Sequence, residues 1–331
     1  MTTSRSVCPI CHGPVAAAFG GRTWPIGQNG RVFGYLACAA CGLIFCDPPP
    51  SEAELERYYA GAFNYDWYSQ RRLQKRAQGY HRWLRVGQML ERRAGGPAHL
   101  LDIGCGAGWF LHAARRAGWQ VAGIELSRDS VAFATARLGL DVTLGALESI
   151  APPTSRYDAI TLWHSLEHMR DPRQALAWIR AALKPGGVVL IAVPNVESRG
   201  LARRGAGWIW LQQPFVHLWH FSARALGLLL EQSALRVLSV GTRDTWDAQY
   251  VYDAVLAPQL EGRYYRKLAL ETERGLRRLR VGRAREAAAG LLLALSETSR
   301  LLSYALSLPS TTLRPRRADG SELLVLAGAR P

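Results

Sequence analysis

His99-Leu100-Leu101-Asp102-Ile103-Gly104-Cys105-Gly106-Ala107-Gly108 is the stretch that decides the fold of this chain. An apolar run passes through an acid into a turn with glycine at every second position, and a helical pattern over 108–117 follows. Glycine lets the backbone turn sharply and lets a ligand come close. A helix that starts just beyond the turn presents free N–H groups. A dinucleotide site would space its glycines G-x-G-x-x-G; here the third glycine comes one residue early, and Asp102 precedes the first by two. An acid at the end of a strand suits a ligand with a cationic amino group rather than a pyrophosphate. Glu125 ends the next strand, in Val121-Ala-Gly-Ile-Glu125-Leu126-Ser127, and a carboxylate there can accept both hydroxyls of a ribose. Cys105, inside the turn, reads as a small spacer, because no neighbouring base would make it a nucleophile.

Outward from this turn, short apolar runs at 98–103, 120–125, 140–144, 157–162 and 187–193 alternate with helical patterns at 108–117, 128–138 and 171–183. That alternation predicts a parallel sheet with helices on both faces. Ser222 can cap a helix to about 233, and strands are expected at 235–241 and 322–329. Between the fifth strand and Ser222, residues 196–221 are rich in Trp and His without periodicity and read as a long loop or lid. Upstream, Asp47-Pro48-Pro49-Pro50 marks a boundary, since prolines neither continue a helix nor pair in a central strand. Ser51 and Glu54 then form a capping-box pattern. It opens a broken helical stretch to 94 that carries Tyr58, Tyr59, Tyr65, Trp67 and Tyr68, then a basic run from Arg71 to Arg93. The organisation expected is a module at 1–50, a helical linker and N-terminal helices at 51–97, a core at 98–243, an insert at 244–318 and a final strand at 319–331.

The 331 residues are 48% hydrophobic and 20% charged, which excludes disordered, collagen-like and disulfide-scaffold classes. No apolar run is long and clean enough for a membrane span. The N-terminus, MTTSRSVCPIC, lacks the apolar core of a secretory signal, so a cytoplasmic location is expected. The net charge is +15, and only Lys75, Lys184 and Lys267 among the 41 basic residues are lysines. So much arginine suits phosphates, nucleic acid or anionic lipid, or reflects compositional bias. Cys8, Cys11, Cys38 and Cys41 are spaced C-x2-C-x26-C-x2-C, which offers four thiolates to a closed, structural tetrahedral zinc; redox chemistry is the competing reading. In the insert, nine basic residues at 263–285 precede an apolar run at 287–308. That composition fits a helix lying on an anionic membrane, or a helical hairpin packed on the sheet or on a second copy of the chain.

The glycine turn resembles that of class I S-adenosylmethionine-dependent methyltransferases, in the group of ubiquinone-biosynthesis O-methyltransferases. Four further stretches carry the resemblance in order: Tyr157-Asp158-Ala-Ile-Thr-Leu-Trp163-His164-Ser-Leu-Glu167-His168, Leu183-Lys184-Pro185-Gly186-Gly187, Ala192-Val193-Pro194-Asn195 and His217-Leu-Trp-His220-Phe221-Ser222. It covers about 98–241. The front end also looks like a zinc module found fused to such enzymes. The resemblance implies an α/β, Rossmann-like seven-stranded methyltransferase sheet with a reversed last strand, a small N-terminal zinc ribbon and a helical insert before the last strand. It implies that S-adenosylmethionine is the cofactor. Asp102, Gly104, Cys105, Gly106 and Gly108 would hold its methionine part, Glu125 its ribose, and Leu126 one face of its adenine. Trp163 and His164 would belong to the same pocket. Family members often place an acid near 146 for the adenine amino group. This chain has Ala146, which moves that contact to the backbone at Leu147 or to Glu148.

Ligands bind at the carboxyl ends of strands in open parallel sheets, which puts Glu167 and His168 beside the acceptor. His168 would take a proton there, oriented by Glu167, or both would merely brace the loop. Some relatives hold a divalent ion with an acid three residues before that glutamate, together with the Glu and His; this chain has His164 in that place. Trp208, Trp210, His217 and His220 would wall the acceptor or anchor the loop. The expected function is methyl transfer to an oxygen or activated carbon of a small metabolite: a sugar, a phenol or a lipid-linked intermediate. The charge keeps RNA as an alternative acceptor, and a non-catalytic cofactor-binding or interaction protein as a third reading.

Overall fold

In the computed structural model, residues 5–25, 32–51, 53–55, 72–212, 216–243 and 319–329 are described. The aromatic cluster at 58–68 and the whole insert at 244–318, with its basic and apolar halves, lie outside the described residues. The chain divides into two compact units, Met1–Ser69 with Lys75–Arg243 and Arg316–Pro331, and Gln70–Gln74 with Asp244–Pro315. The first holds everything that follows apart from residues 72–74 at the start of the first helix.

Its centre is a seven-stranded sheet of β5 (His99–Ile103), β6 (Gln120–Glu125), β7 (Asp141–Leu144), β8 (Tyr157–Trp163), β9 (Leu183–Pro194), β11 (Leu235–Arg243) and β12 (Glu322–Ala329), in the order β11-β12-β9-β8-β5-β6-β7. The pairs from β9 to β7 are parallel, and β12 runs antiparallel to both of its neighbours. This is the Rossmann-like methyltransferase sheet with its reversed strand. The central strands are buried on both faces and read as continuous apolar runs, Val188 to Val193 in β9 above all. The order reverses at β5, whose two neighbours are β6 and β8, so a crevice opens at the carboxyl ends of these three strands.

The helices are α1 (Arg72–Ala94), α2 (Trp109–Arg116), α3 (Arg128–Leu138), α4 (Pro172–Ala182), α5 (Arg199–Arg204) and α6 (Ala223–Gln232). Their ends follow local chemistry. The Ser127 hydroxyl accepts from Ser130 N–H, and Gly139 closes α3 in the left-handed region. Asp171 accepts from the N–H groups of Arg173 and Gln174, with Pro172 in the first turn of α4. Ser51 and Glu54 exchange the two hydrogen bonds of a capping box.

The N-terminal residues build a second sheet from β1 (Val15–Ala17), β2 (Thr23–Pro25), β3 (Val32–Cys38) and β4 (Ile44–Asp47). Its far edge is β10 (Trp219–His220), a strand from the stretch read as a loop; Trp219 pairs with Phe45 and His220 with Ile44. That stretch also contains α5 and short 3-10 turns at 205–207 and 209–212. The reason is packing. Trp208, Leu211, Val216 and Leu218 are buried with Phe33, Tyr35 and Cys46 of the N-terminal sheet, and Trp208 is an anchor, 3% exposed. Cys8, Ile10, Leu43 and Phe45 share one apolar core with Phe221, Leu226 and Leu229. Among the described residues, no helix is long and apolar enough to cross a membrane.

Candidate active site

The glycine turn sits at the carboxyl end of β5. Gly104, Gly106 and Gly108 all have positive φ, between 54° and 78°, which L side chains rarely adopt. A Cβ on Gly104 would collide with the Ser165 hydroxyl. Cys105 packs its sulfur over Gly123, where a Cβ would come within 2.7 Å of it. Burial, together with the Glu125 and Asp102 carboxylates, holds this thiol well above its ordinary pKa. It is a neutral spacer.

Asp102 is buried at the strand end and accepts a hydrogen bond from the Thr161 hydroxyl of β8 at 2.7 Å. Burial pushes its carboxyl up to about 7 against that bond and the nearby Arg82 charge. Glu125 ends β6 and accepts from Gly106 N–H at 2.7 Å and Ser127 N–H at 2.9 Å. Burial raises its pKa, opposed by these N–H bonds. The two acids therefore flank the turn. Next to Glu125, Leu126 is 49% exposed, an apolar side chain open at the mouth of the turn. Leu147 is buried, in the 3-10 turn Leu147–Ser149 beyond Gly145. Trp163 packs its ring on Phe110 at 5.3 Å and beneath the Arg82 guanidinium at 4.9 Å.

A second cluster forms beyond β8. His164 has a φ of 54°. Its Nε2 lies 2.6 Å from Glu322 of β12, its Nδ1 lies 3.3 Å from Glu167, and its ring stacks on Trp210. Burial opposes charge on His164, but the two carboxylates outweigh it and raise its pKa. Glu167 is fully buried, and neither of its oxygens has a hydrogen-bond partner among the described residues. His168 Nδ1 lies 2.7 Å from the Val216 carbonyl, so Nδ1 carries the hydrogen and donates, leaving Nε2 4.0 Å from Glu167. Burial lowers its pKa, which keeps the ring neutral near pH 7. His217 lies 4.8 Å from His168, and His220 lies 6.1 Å beyond, ring centre to ring centre. Burial depresses both, His220 to about 3.

The sequence reading placed His164 with the cofactor residues; its partners in the structure are Glu167, Glu322 and Trp210. Three residues in contact with these groups were not singled out: Thr161, Glu322 and Arg82. Glu322 carried a signal, a lone acid opening the apolar run Leu323-Leu-Val-Leu-Ala327. Asp158 and Lys184, from the quoted motifs, make a structural pair at 2.7 Å, and Asp158 also accepts from His99 N–H.

Two donor sets invite metal. Cys8, Cys11, Cys38 and Cys41 bring their sulfurs within 4.8 Å of one another, with Cys8–Cys41 at 3.7 Å and Cys11–Cys38 at 3.4 Å. Tetrahedral zinc with Zn–S bonds of about 2.3 Å would space its sulfurs by about 3.8 Å, so the cluster is compatible with a small zinc ribbon. The divalent-ion set of some relatives does not fit. The position of its acid is His164, whose Nε2 is engaged by Glu322, and two imidazoles are poor donors for a hard cation. Glu167, His168 and His217 do come within 4.8 Å of one another, a nitrogen-rich set of different character.

A family model described as "Methyltransferase domain" matches residues 71–240, just over half of the chain. Among curated proteins, the ubiquinone biosynthesis O-methyltransferase of Caulobacter vibrioides is 32% identical over 130 residues, covering 36% of this chain and 51% of that protein. Its namesake from Rhodopseudomonas palustris is 34% identical over 129 residues, covering 36% and 50%. The chain thus spans about half the length of the curated relatives it matches. Among solved structures, a SAM-dependent methyltransferase from Archaeoglobus fulgidus is 16% identical, with a TM-score of 0.47 over 80% of this chain and 100% of that one. One from Mesorhizobium loti is 19% identical, with a TM-score of 0.42 over 70% and 90%. With the strand order, the glycine turn and its flanking acids in place under the matched residues, the chain belongs to the methyltransferase-domain family, the class I S-adenosylmethionine-dependent methyltransferases.

Proposed function

We propose that the protein methylates an oxygen, or an activated carbon, of a small metabolite such as a sugar, a phenol or a lipid-linked intermediate. The observation that carries this is the pairing of Asp102 and Glu125 around the glycine turn with a neutral, part-buried His168 beyond β8. S-adenosylmethionine supplies a methyl group on a sulfonium, which leaves as a neutral thioether. Asp102 meets the ammonium of its methionine part, Glu125 the ribose hydroxyls and Leu126 the adenine. Arg82, beside Asp102 and above Trp163, supplies a cation for the methionine carboxylate. Alignment of donor and acceptor accounts for most of the rate, on the order of 7–11 kcal/mol.

Chemistry at a hydroxyl needs a base as well. His168 Nε2 takes the hydroxyl proton as the new C–O bond forms. The buried Glu167 carboxylate then stabilises the imidazolium, and Nδ1 stays bonded to Val216. The four N-terminal cysteines hold structural zinc. The test is calorimetric binding of S-adenosylmethionine, followed by mass-spectrometric detection of methyl transfer to a panel of sugars, phenols, polyprenyl-linked intermediates and RNA. Transfer to RNA alone, or cofactor binding with no transfer to any panel member, overturns the metabolite reading.

A further inference from the structure

The strand Trp219–His220 belongs to the N-terminal sheet, yet it carries His220, and His217 just precedes it, so both reach the methyltransferase cluster. Leu218 shows how tightly the two are tied: its N–H donates to Glu167 O at 2.9 Å, and its carbonyl accepts from Cys46 N–H at 2.9 Å. The cysteine knuckle lies one hairpin away. Cys38 N–H bonds Leu43 O and Gly42 N–H bonds Cys38 O. The Ser222 hydroxyl, two residues past His220, both caps α6 and donates to the Cys41 carbonyl. Tyr35, three residues before Cys38 on β3, sets the edge of its ring against His220 at 5.2 Å, while its hydroxyl donates to Leu211 O. His220 is fully buried, and neither of its ring nitrogens has a hydrogen-bond partner among the described residues. Its orientation therefore comes from its backbone pairing and from the aromatic rings around it, Tyr35 and Trp208. A continuous row runs Tyr35, His220, His217, His168, with steps of 5.2, 6.1 and 4.8 Å.

We propose that the cysteine module forms one wall of the acceptor half of the site, with Tyr35 and the zinc knuckle as positioning elements that set His220 and His217 against His168. This rests on the function proposed above for the His168 side. It adds that metal at the four cysteines governs acceptor chemistry and not cofactor binding, since among the described residues the hydrogen bonds of Asp102 and Glu125 go to Thr161, Gly106 and Ser127 rather than to the module. Zinc is thus more than a staple for a peripheral domain.

The experiment uses the full chain with its metal content measured, imidazole signals assigned by nuclear magnetic resonance, and cofactor affinity from calorimetry. Removing zinc with a chelator, or by Cys38→Ser, is expected to shift or broaden the His217 and His220 signals and leave His112, on α2, in place. S-adenosylmethionine affinity should change by no more than about twofold, the scatter of uncoupled sites. In zinc-loaded protein, Tyr35→Ala should disturb the same two signals. It should lower kcat on the order of 10–100-fold at constant KM for the cofactor, and Tyr35→Phe, which keeps the ring, should restore both. The proposal is overturned if wild-type protein holds no metal at the cysteines, or if zinc leaves while both histidine signals stay put. Cofactor affinity that falls in step with zinc loss in an otherwise folded chain overturns it too. If stripped protein unfolds throughout, the Tyr35 pair decides: unaltered His217 and His220 signals in Tyr35→Ala refute the wall. Wild-type protein that binds no S-adenosylmethionine refutes the function above instead.

Discussion

The two halves of the proposed site, one for the cofactor and one for the acceptor, are built by opposite means. The cofactor half is local: Asp102, the glycines and Glu125 fall within 24 residues. The oxygens of its acids are engaged by Thr161, Gly106 and Ser127. The acceptor half draws on β8, the stretch before α6, the last strand and the N-terminal sheet. It buries Glu167, His217 and His220 with several of their polar atoms unpartnered among the described residues. Buried polar groups without partners are costly. On the acceptor side, aromatic rings and backbone pairing fix these side chains. A recurring cofactor can be met by one compact motif, whereas a particular acceptor needs a surface assembled from remote segments.

The sharpest test of this division is His168→Ala. Turnover should fall on the order of 10²–10⁴-fold, while S-adenosylmethionine affinity by calorimetry stays at the wild-type value. The loss should shrink at high pH, where an acceptor hydroxyl ionises unaided. A parallel loss of cofactor affinity would erase the boundary between the halves. Acid probes the unpartnered histidines next. His220 is held down to about 3 by burial, so below its ordinary pKa of about 6.5 the unfolded chain takes up a proton that the folded chain refuses. Stability from this group is therefore present at neutral pH and lost as pH falls from about 6.5 towards 3, by roughly 2–3 kcal/mol at pH 4.5. Asp102 and Glu125, whose pKa values are raised, push the other way. The readout is thus the difference between wild type and His220→Phe in chemical denaturation at pH 7 and pH 4.5, which should narrow by that amount in the variant.

On the cofactor side, Asp102→Asn should weaken S-adenosylmethionine binding by about 10–100-fold, the worth of a charge-assisted hydrogen bond. Because burial lifts Asp102 to about 7, wild-type affinity should also drop about tenfold per pH unit from pH 7 to pH 5. The variant should lose that slope, and calorimetry at three pH values reads both effects. Thr161→Val is the mildest change. Losing one hydrogen bond to Asp102 should weaken binding by about 2–10-fold and move the pH dependence upward.

The same contrast decides what could be read before any coordinates. The strands, their order of appearance, the capping residues Ser51 and Ser222, and the glycine turn all follow from local rules, and the structure has the elements within a residue or two, except that β9 begins at Leu183, four residues before the expected 187. The acceptor side did not yield so far. Nothing around Trp219-His220 announces a strand, because its partner Ile44-Phe45 lies about 175 residues earlier and supplies the pairing that the two residues lack. For the same reason Trp208 looked as much like a pocket wall as a core anchor until Phe33 and Tyr35 closed over it. The local sequence of His164 carries no sign of its partner Glu322, which lies at the far end of the chain.

That far end has a consequence for the order of events during synthesis. β12 is the last described element to be made, yet it lies between β9 and β11 and brings Leu323, Val325, Leu326 and Ala327 to the core. Until it emerges, β9 and β11 face each other across an open slot, with their main-chain groups exposed to any other nascent strand. β5 ends at Ile103 and β12 begins at Glu322. At about 5–20 residues per second, the sheet stays open for on the order of ten to forty seconds after β5 is made. The strand that closes the slot also delivers Glu322 to His164. An interrupted translation product therefore lacks both the final strand and the carboxylate that meets His164.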